Sequence, residues 1–384
     1  MDRIENLLEQ KKKTGLLRTL KPAALRKEGR IYLDNKELFD LSSNDYLGLS
    51  NHPKLKEASI KATQQFGAGS CASRLLSGDL EIHHELEDKT AILKGKEAAL
   101  VFNSGYQANL GIISALYKNG DAVFADKLCH ASILDGISLS KARLFRFRHN
   151  DVDHLESLLK KQISKFESCL IVTETIFSMD GDRPPLKDIV ELKEKFNCCL
   201  MADEAHATGI FGKNGSGLVE EQGLTDRVDL IMGTFGKALG SFGAYVAASK
   251  KIVNYLINTS RSFIYSTALP PSVIAANLAA LELLKTEPFR RKILCENAAY
   301  FRHQLSSRGF EIKSSSQIVP LIIGETEKTV ALSMLLTGKG YWALPVRPPT
   351  VPAGQSRLRF SLTCHHDHKI LQNLIEQISE ALNV

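Results

Sequence analysis

Paired cysteines are missing from this chain. Its 384 residues include seven cysteines, an odd number, and no two of them form a C-x-x-C pair. That excludes the common thiol redox motif and zinc sites built on such pairs. Cys169, Cys198 and Cys199 lie in or beside apolar runs, which reads as reduced core thiols and a reducing compartment. No apolar run approaches the roughly 18 residues of a membrane span. The opening residues Met1-Asp2-Arg3-Ile4-Glu5-Asn6 carry no apolar signal core. The expectation is a cytoplasmic protein with no membrane partner. No G-x-x-x-x-G-K-[ST] loop occurs, so Asp203-Glu204-Ala205-His206 is not the DEAH box of a nucleotide-driven helicase. Charge is not concentrated either. The net charge is +6, yet the densest basic run is Lys11-Lys12-Lys13, which reads as a solvated helix face and not an arm for nucleic acid. Internal repeats and low-complexity tracts are absent too.

What is present is an ordinary globular balance, 43% hydrophobic and 24% charged, with enough chain for two domains. Apolar strand-like runs recur at 98–102, 122–126, 142–147, 170–174, 198–202, 230–233 and 243–248, separated by helical stretches. This alternation predicts an α/β fold with a mainly parallel sheet of seven strands, covered by helices on both faces. After a long apolar helix at 271–285 the pattern changes. Strands at 310–312, 318–323, 341–346 and 357–362, with helices near 329–336 and 369–381, predict a smaller C-terminal α+β domain. The expected division is an N-terminal arm at 1–40, a large domain at 41–285 and a small domain at 286–384. In the arm, Ile4, Leu7, Leu8, Leu16 and Leu17 share roughly one helical face, so it should dock on its own body or on a partner chain. A short hairpin around Asp34-Asn35 follows.

The chemistry gathers at the ends of the predicted strands. Lys237 sits in Thr234-Phe235-Gly236-Lys237-Ala238-Leu239-Gly240, just past the run at 230–233. A lysine boxed in by small residues can shed its proton and attack a carbonyl. Alone, the stretch fits a solvated loop lysine equally well. The run at 198–202 leads into Asp203-Glu204-Ala205-His206. In an open parallel sheet both motifs reach the same edge, where ligands bind. Pyridoxal phosphate chemistry asks for this set: a lysine for the cofactor carbonyl, a carboxylate for the pyridine nitrogen, and a third group for the ring hydroxyl. With that pair in place, Asn103-Ser104-Gly105-Tyr106, at a strand-to-helix junction, reads as a phosphate site, and Thr234 as a second phosphate donor. His130 follows another strand end and fits either ring stacking or helix capping. Glu174 and Ser178 project from the same edge. Arg357-Leu358-Arg359-Phe360 reads as a strand alternating in and out, where an arginine fork suits a substrate carboxylate. The pattern leaves open which of the two arginines, if either, reaches a site. Cys364-His365-His366-Asp367-His368 has metal-ligand residue types but not zinc-site spacing, so it reads as a structural turn with no metal.

Four stretches together resemble the α-oxoamine synthases: Asn44-Asp45-Tyr46-Leu47-Gly48, Phe177-Ser178-Met179-Asp180-Gly181-Asp182, Asp203-Glu204-Ala205-His206 and Thr234-Phe235-Gly236-Lys237. The likeness covers essentially the whole chain. It implies a homodimeric, fold-type-I aminotransferase-like pyridoxal phosphate enzyme that joins an amino acid to an acyl thioester with loss of carbon dioxide. Lys237 would hold the cofactor and move the substrate proton, Asp203 would pair with the pyridine nitrogen, and His206 with the ring hydroxyl. His130 would stack on the ring. Gly105, Tyr106 and Thr234 would take the phosphate, and Ser178 would help seat the ring. Arg359 would bind the amino-acid carboxylate, with Arg18 and Thr350 lining the substrate site. Ser266 and Thr267 would reach the partner's phosphate. Arg347-Pro348-Pro349-Thr350-Val351-Pro352-Ala353-Gly354 is most similar to the biotin-pathway branch, which implies L-alanine and pimeloyl-CoA or pimeloyl-acyl carrier protein as substrates. A sibling such as a glycine C-acetyltransferase would keep the same catalytic residues. Cys71-Ala72 and Cys364-His365 depart from the family, standing where it often has glycines and alanines.

Overall fold

The computed structural model describes residues 2–383, so the first and last residues of the expected arm and small domain, Met1 and Val384, lie outside the described residues. In chain order the elements begin with α1 (Asp2–Lys13), β1 (Leu25–Lys27), β2 (Arg30–Leu33), β3 (Lys36–Asp40), α2 (Pro53–Phe66) and α3 (Glu81–Lys94). The alternating region is β4 (Ala98–Phe102), α4 (Gly105–Leu116), β5 (Ala122–Asp126), α5 (Ala131–Ser140), β6 (Arg143–Phe147), α6 (Val152–Gln162) and β7 (Cys169–Glu174). It continues through α7 (Leu186–Lys195), β8 (Cys199–Asp203), α8 (Leu218–Glu221), β9 (Leu230–Thr234), β10 (Ala244–Ala248), α9 (Lys250–Thr259), α10 (Arg261–Ile264) and α11 (Pro271–Thr286). The last elements are α12 (Phe289–Ser307), β11 (Ile318–Gly324), α13 (Thr326–Gly338), β12 (Tyr341–Trp342), β13 (Pro345–Val346), β14 (Ser356–Ser361) and α14 (His368–Leu382).

The chain forms two compact units. The larger comprises Leu49–Ser178 and Arg183–Arg291; the smaller takes the described residues up to Gly48, Met179–Asp182 and those from Lys292 onward. The larger unit holds a seven-stranded sheet in the order β4-β10-β9-β8-β7-β5-β6. Strands β5 to β9 pair in parallel, and β10 runs antiparallel to both β4 and β9. Side chains alternate across the sheet, so a strand covered on both faces must be apolar throughout. In β5, Val123 and Ala125 enter one core beside Ile112 of α4, while Ala122 and Phe124 enter the other beside Leu155 of α6. Each of the larger side chains, such as Val123, Phe124, Ile112 and Leu155, contributes roughly 1.5–3 kcal/mol when withdrawn from water.

The smaller unit has two sheets, β1-β2-β3-β12 with β12 parallel to β3, and an antiparallel β11-β14-β13. Here several sequence expectations need correction. The run at 341–346 is not one strand: Tyr341–Trp342 joins β3, whereas Pro345–Val346 pairs with β14. Residues 310–312 form no strand, and the Phe310 N–H instead closes the end of α12 on the Leu305 carbonyl, 3.2 Å away. The strand at 357–362 does not alternate in and out. Every residue of β14 is buried, with Phe360 packed on Phe301 of α12 and Arg357 ion-paired to Asp180. The 19-residue α12 was not foreseen, because the charged run Arg290-Arg291-Lys292 breaks any apolar period at its start. No residue of α1 is buried, and Ile4, Leu7 and Leu8 stand exposed. No described helix is long and apolar enough to cross a membrane.

Candidate active site

Six strands of the larger unit, β4 to β9, end at one edge, and a cavity of about 200 Å³ opens there. Its lining includes Lys237, His206, Asp203, His130, Gly105, Tyr106 and Thr234, every one expected from the sequence. Asn109, Ser132, Glu174, Ala205 and Met232 complete it.

Lys237 hangs on the loop between β9 and β10. That loop is pinned at its base, where the Phe235 N–H donates to the Gly243 carbonyl at 2.9 Å and the Thr234 hydroxyl to the same oxygen at 2.8 Å. The Lys237 amine reaches His206 Nε2 at 2.8 Å. Asp203 terminates β8, and its two oxygens are held separately. Oδ1 accepts from the Ala205 N–H at 2.9 Å, and Oδ2 from the Asn109 side-chain amide at 3.0 Å. The same Asn109 amide donates to the Ser132 hydroxyl at 3.0 Å, which in turn lies 2.8 Å from His130 Nδ1. The Ser132 N–H also points at Nδ1, so this nitrogen is an acceptor and the His130 proton sits on Nε2. Burial, the largest influence, lowers the His130 pKa and favours this neutral ring. His130 caps α5 and lines the cavity.

Glu174 ends β7 in register with Asp203 on β8. Burial first, and the Asp203 charge next, push its carboxyl up to about 8, while Lys237 and the backbone amides of His130 and Ser178 oppose the shift. Gly105 opens α4, where Ser104 is the N-cap and accepts from the Gln107 N–H at 3.2 Å. The first N–H groups of a helix lack acceptors within it and suit a phosphate. A Cβ at Gly105 would come within 3.0 Å of the Met232 methyl, so glycine keeps that approach open.

The remaining expected residues lie elsewhere. Ser178 is half-buried just beyond β7, outside the lining. Arg18, Thr350 and Arg359 belong to the smaller unit, where Arg18 donates to the Thr350 hydroxyl at 2.9 Å. Arg357 is committed to the Asp180 carboxylate at 2.6 Å, whereas Arg359 donates to the neutral oxygens of Asn44, Tyr46 and Ser361. Among the described residues, no group of three or more His, Cys, Asp or Glu side chains is arranged to hold a metal ion.

Residues 36–378 match the model of the family described as aminotransferase class I and II. The chain belongs to that family. It is 47% identical over 375 residues to 8-amino-7-oxononanoate synthase of Geotalea daltonii, covering 97% of this chain and 95% of that one. It is 48% identical over 371 residues to 8-amino-7-oxononanoate synthase of Geobacter sulfurreducens, covering 96% and 95%. Among solved structures, a serine palmitoyltransferase from S. paucimobilis with a bound PLP-myriocin aldimine superposes with a TM-score of 0.93 at 30% identity, over 100% of this chain and 97% of that one. The motif resemblance to the α-oxoamine synthases is thus upheld. This member of the family has the fold-type-I aminotransferase-like fold and is a pyridoxal phosphate-dependent acyltransferase. Its cavity suits that cofactor: an amine for the carbonyl, a carboxylate held by two donors for the ring nitrogen, and a helix N-terminus kept open by Gly105.

Proposed function

We propose that the chain condenses L-alanine with a pimeloyl thioester, carried on coenzyme A or acyl carrier protein, to give 8-amino-7-oxononanoate, carbon dioxide and the free thiol. The observation that carries this reading is the convergence of Lys237, His206 and Asp203 on one cavity, in a chain 47% identical to a named 8-amino-7-oxononanoate synthase. When bound, pyridoxal phosphate withdraws electrons from the Cα of the amino acid. Lys237 holds the cofactor, and its Nζ takes the Cα proton. Asp203 keeps the pyridine nitrogen protonated, with Asn109 and the Ala205 N–H fixing its oxygens. His206 bonds the ring hydroxyl, His130 stacks on the ring, and Ser178 helps seat it. The N–H groups of Gly105 and Tyr106 receive the phosphate, and the Thr234 hydroxyl joins them by turning from the Gly243 carbonyl that it holds here. Arg359 takes the alanine carboxylate. Arg18 and Thr350 line the acyl side.

In this reading 41–285 is the cofactor domain, 286–384 the small domain and 1–40 an arm, and the enzyme works in the biotin pathway as a cytoplasmic homodimer. Cys129, Cys169 and Cys198, buried in the core, support a reducing compartment. Thr267 bridges to Ser73 beside the exposed Leu75 and Leu76, an apolar patch that supports a subunit contact there.

A competition assay tests the proposal. Purified protein is given alanine with pimeloyl-CoA, alanine with pimeloyl-acyl carrier protein, and glycine with acetyl-CoA or succinyl-CoA, and the aminoketone is identified by mass. The pimeloyl product should dominate by at least tenfold. An acetyl or succinyl product in the majority would overturn the substrate assignment.

A further inference from the structure

Behind the turn that carries Asp203 and His206 lies an ion pair that the reaction above does not use. Lys94, on the last turn of α3, and Glu204 have side chains with no solvent exposure, and Lys94 Nζ lies 2.7 Å from Glu204 Oε2. The same ammonium donates to the Thr208 hydroxyl at 3.0 Å and to the Ser216 carbonyl. It also stands 5.6 Å from the centre of the Tyr245 ring, whose hydroxyl is 2.9 Å from that of Thr208. The second Glu204 oxygen accepts from the Val219 N–H at 2.9 Å. Gly217, at φ +144, seals the far side, since a Cβ there would come within 2.2 Å of the Glu204 carboxylate. Every donor on the ammonium thus has a protein acceptor, as a buried charge requires. Burial, the largest single influence, opposes the charge, but the Glu204 carboxylate and Tyr245 together more than offset it, and the lysine pKa stays above its ordinary value.

The placement of these partners matters more than their number. Glu204 opens the turn and Thr208 closes it, with the Thr208 N–H returning to the Glu204 carbonyl at 2.9 Å. His206 lies between them and Asp203 immediately before. We propose that Lys94 is a positioning residue for His206 and Asp203: its ammonium clamps both ends of the 204–208 turn and so fixes where the imidazole and the carboxylate meet the cofactor. A buried ion pair is weak evidence for stability, because apolar replacements often fold as well. One that ties two ends of a catalytic turn holds geometry, and a small misplacement there is costly in rate.

The proposal rests on His206 and Asp203 acting on pyridoxal phosphate, but not on the identity of the acyl donor. The holoenzyme is therefore assayed for exchange of the alanine Cα proton with solvent, which needs no thioester, and for the pH midpoint of the cofactor's visible absorbance. Thr208→Val leaves the ion pair intact and removes one arm of the clamp. It should fold, lose at least fivefold in exchange rate and move the absorbance midpoint. Lys94→Met with Glu204→Gln removes both charges and keeps an acceptor for Val219. It should regain most of the Tm that Lys94→Met alone loses, yet stay at least tenfold below wild type in exchange. Should the double variant fail to fold, Thr208→Val decides. Folded variants with exchange within twofold of wild type and an unmoved midpoint would reduce Lys94 to a packing role.

Discussion

Glu174 shows how a single side chain answers to its neighbours. It is buried one strand over from Asp203, and its carboxyl titrates near pH 8 because burial and that neighbouring charge both favour the neutral form. A folded pKa raised above the unfolded value gives stability that is full below about pH 4.5 and fades as pH climbs through 8, by at most ~1.4 kcal/mol per pH unit. In the cofactor-free protein, Glu174→Gln removes this dependence. Calorimetry at pH 5, 6.5 and 8 should show the variant gaining on wild type by several degrees in Tm as pH rises. A constant gap across that range would refute the assignment of the titration to Glu174. The residues that chemistry demands by type were legible in the sequence: the lysine, the aspartate and the histidines stand at strand ends in recognisable stretches. Asn109 was not. It is one amide inside an apolar helix, and only the packing of α4 beside α5 and over the end of β8 brings it to both Ser132 and Asp203.

Among the elements, the turn from Cys364 to His368 has a use its residue types concealed. His366 is fully buried, its Nδ1 accepts from the Thr363 N–H at 3.3 Å, and its Nε2 lies 3.4 Å from the Gly29 carbonyl. Burial drives its pKa down to about 4. A depressed histidine pKa gives stability that is present above about pH 6.5 and is lost as pH falls through 4. His366→Gln should be less stable at pH 7.5 through lost packing, and that deficit should shrink by ~1–3 kcal/mol at pH 4.5. Urea midpoints at the two pH values measure it, and a deficit that holds steady or widens contradicts the role. The strands of the larger unit were readable because cover on both faces demands unbroken apolar runs. In the smaller unit that logic failed twice. β14 buries Arg357 and Arg359 with polar partners from distant segments, and Leu344, 44% exposed, separates two short strands that a continuous apolar run had merged. Periodicity records which residues avoid water; it does not record which sheet they join.

At the scale of the whole molecule, the strand order and the reversal of β10 were beyond the sequence, since a buried strand reads the same in either direction. That reversal has a consequence. A parallel neighbour would need a long crossover to return to the same edge, whereas the antiparallel β10 begins where β9 ends and leaves only residues 235–243 between them. The amine of Lys237 is therefore tethered by a short loop closed at its base, and it meets the cavity at a high effective concentration. Well-oriented intramolecular groups behave as if present at about 10⁵ M or more, far above any dissolved amine. Methylamine at tens of millimolar, added to the Lys237→Ala protein with pyridoxal phosphate, should restore under ~1% of wild-type alanine Cα proton exchange on that scale. Recovery to within tenfold would mean that the chemistry needs an amine and not this tether. The reversed strand acts as a leash, and its shortness sets how completely the protein's own amine outcompetes every other.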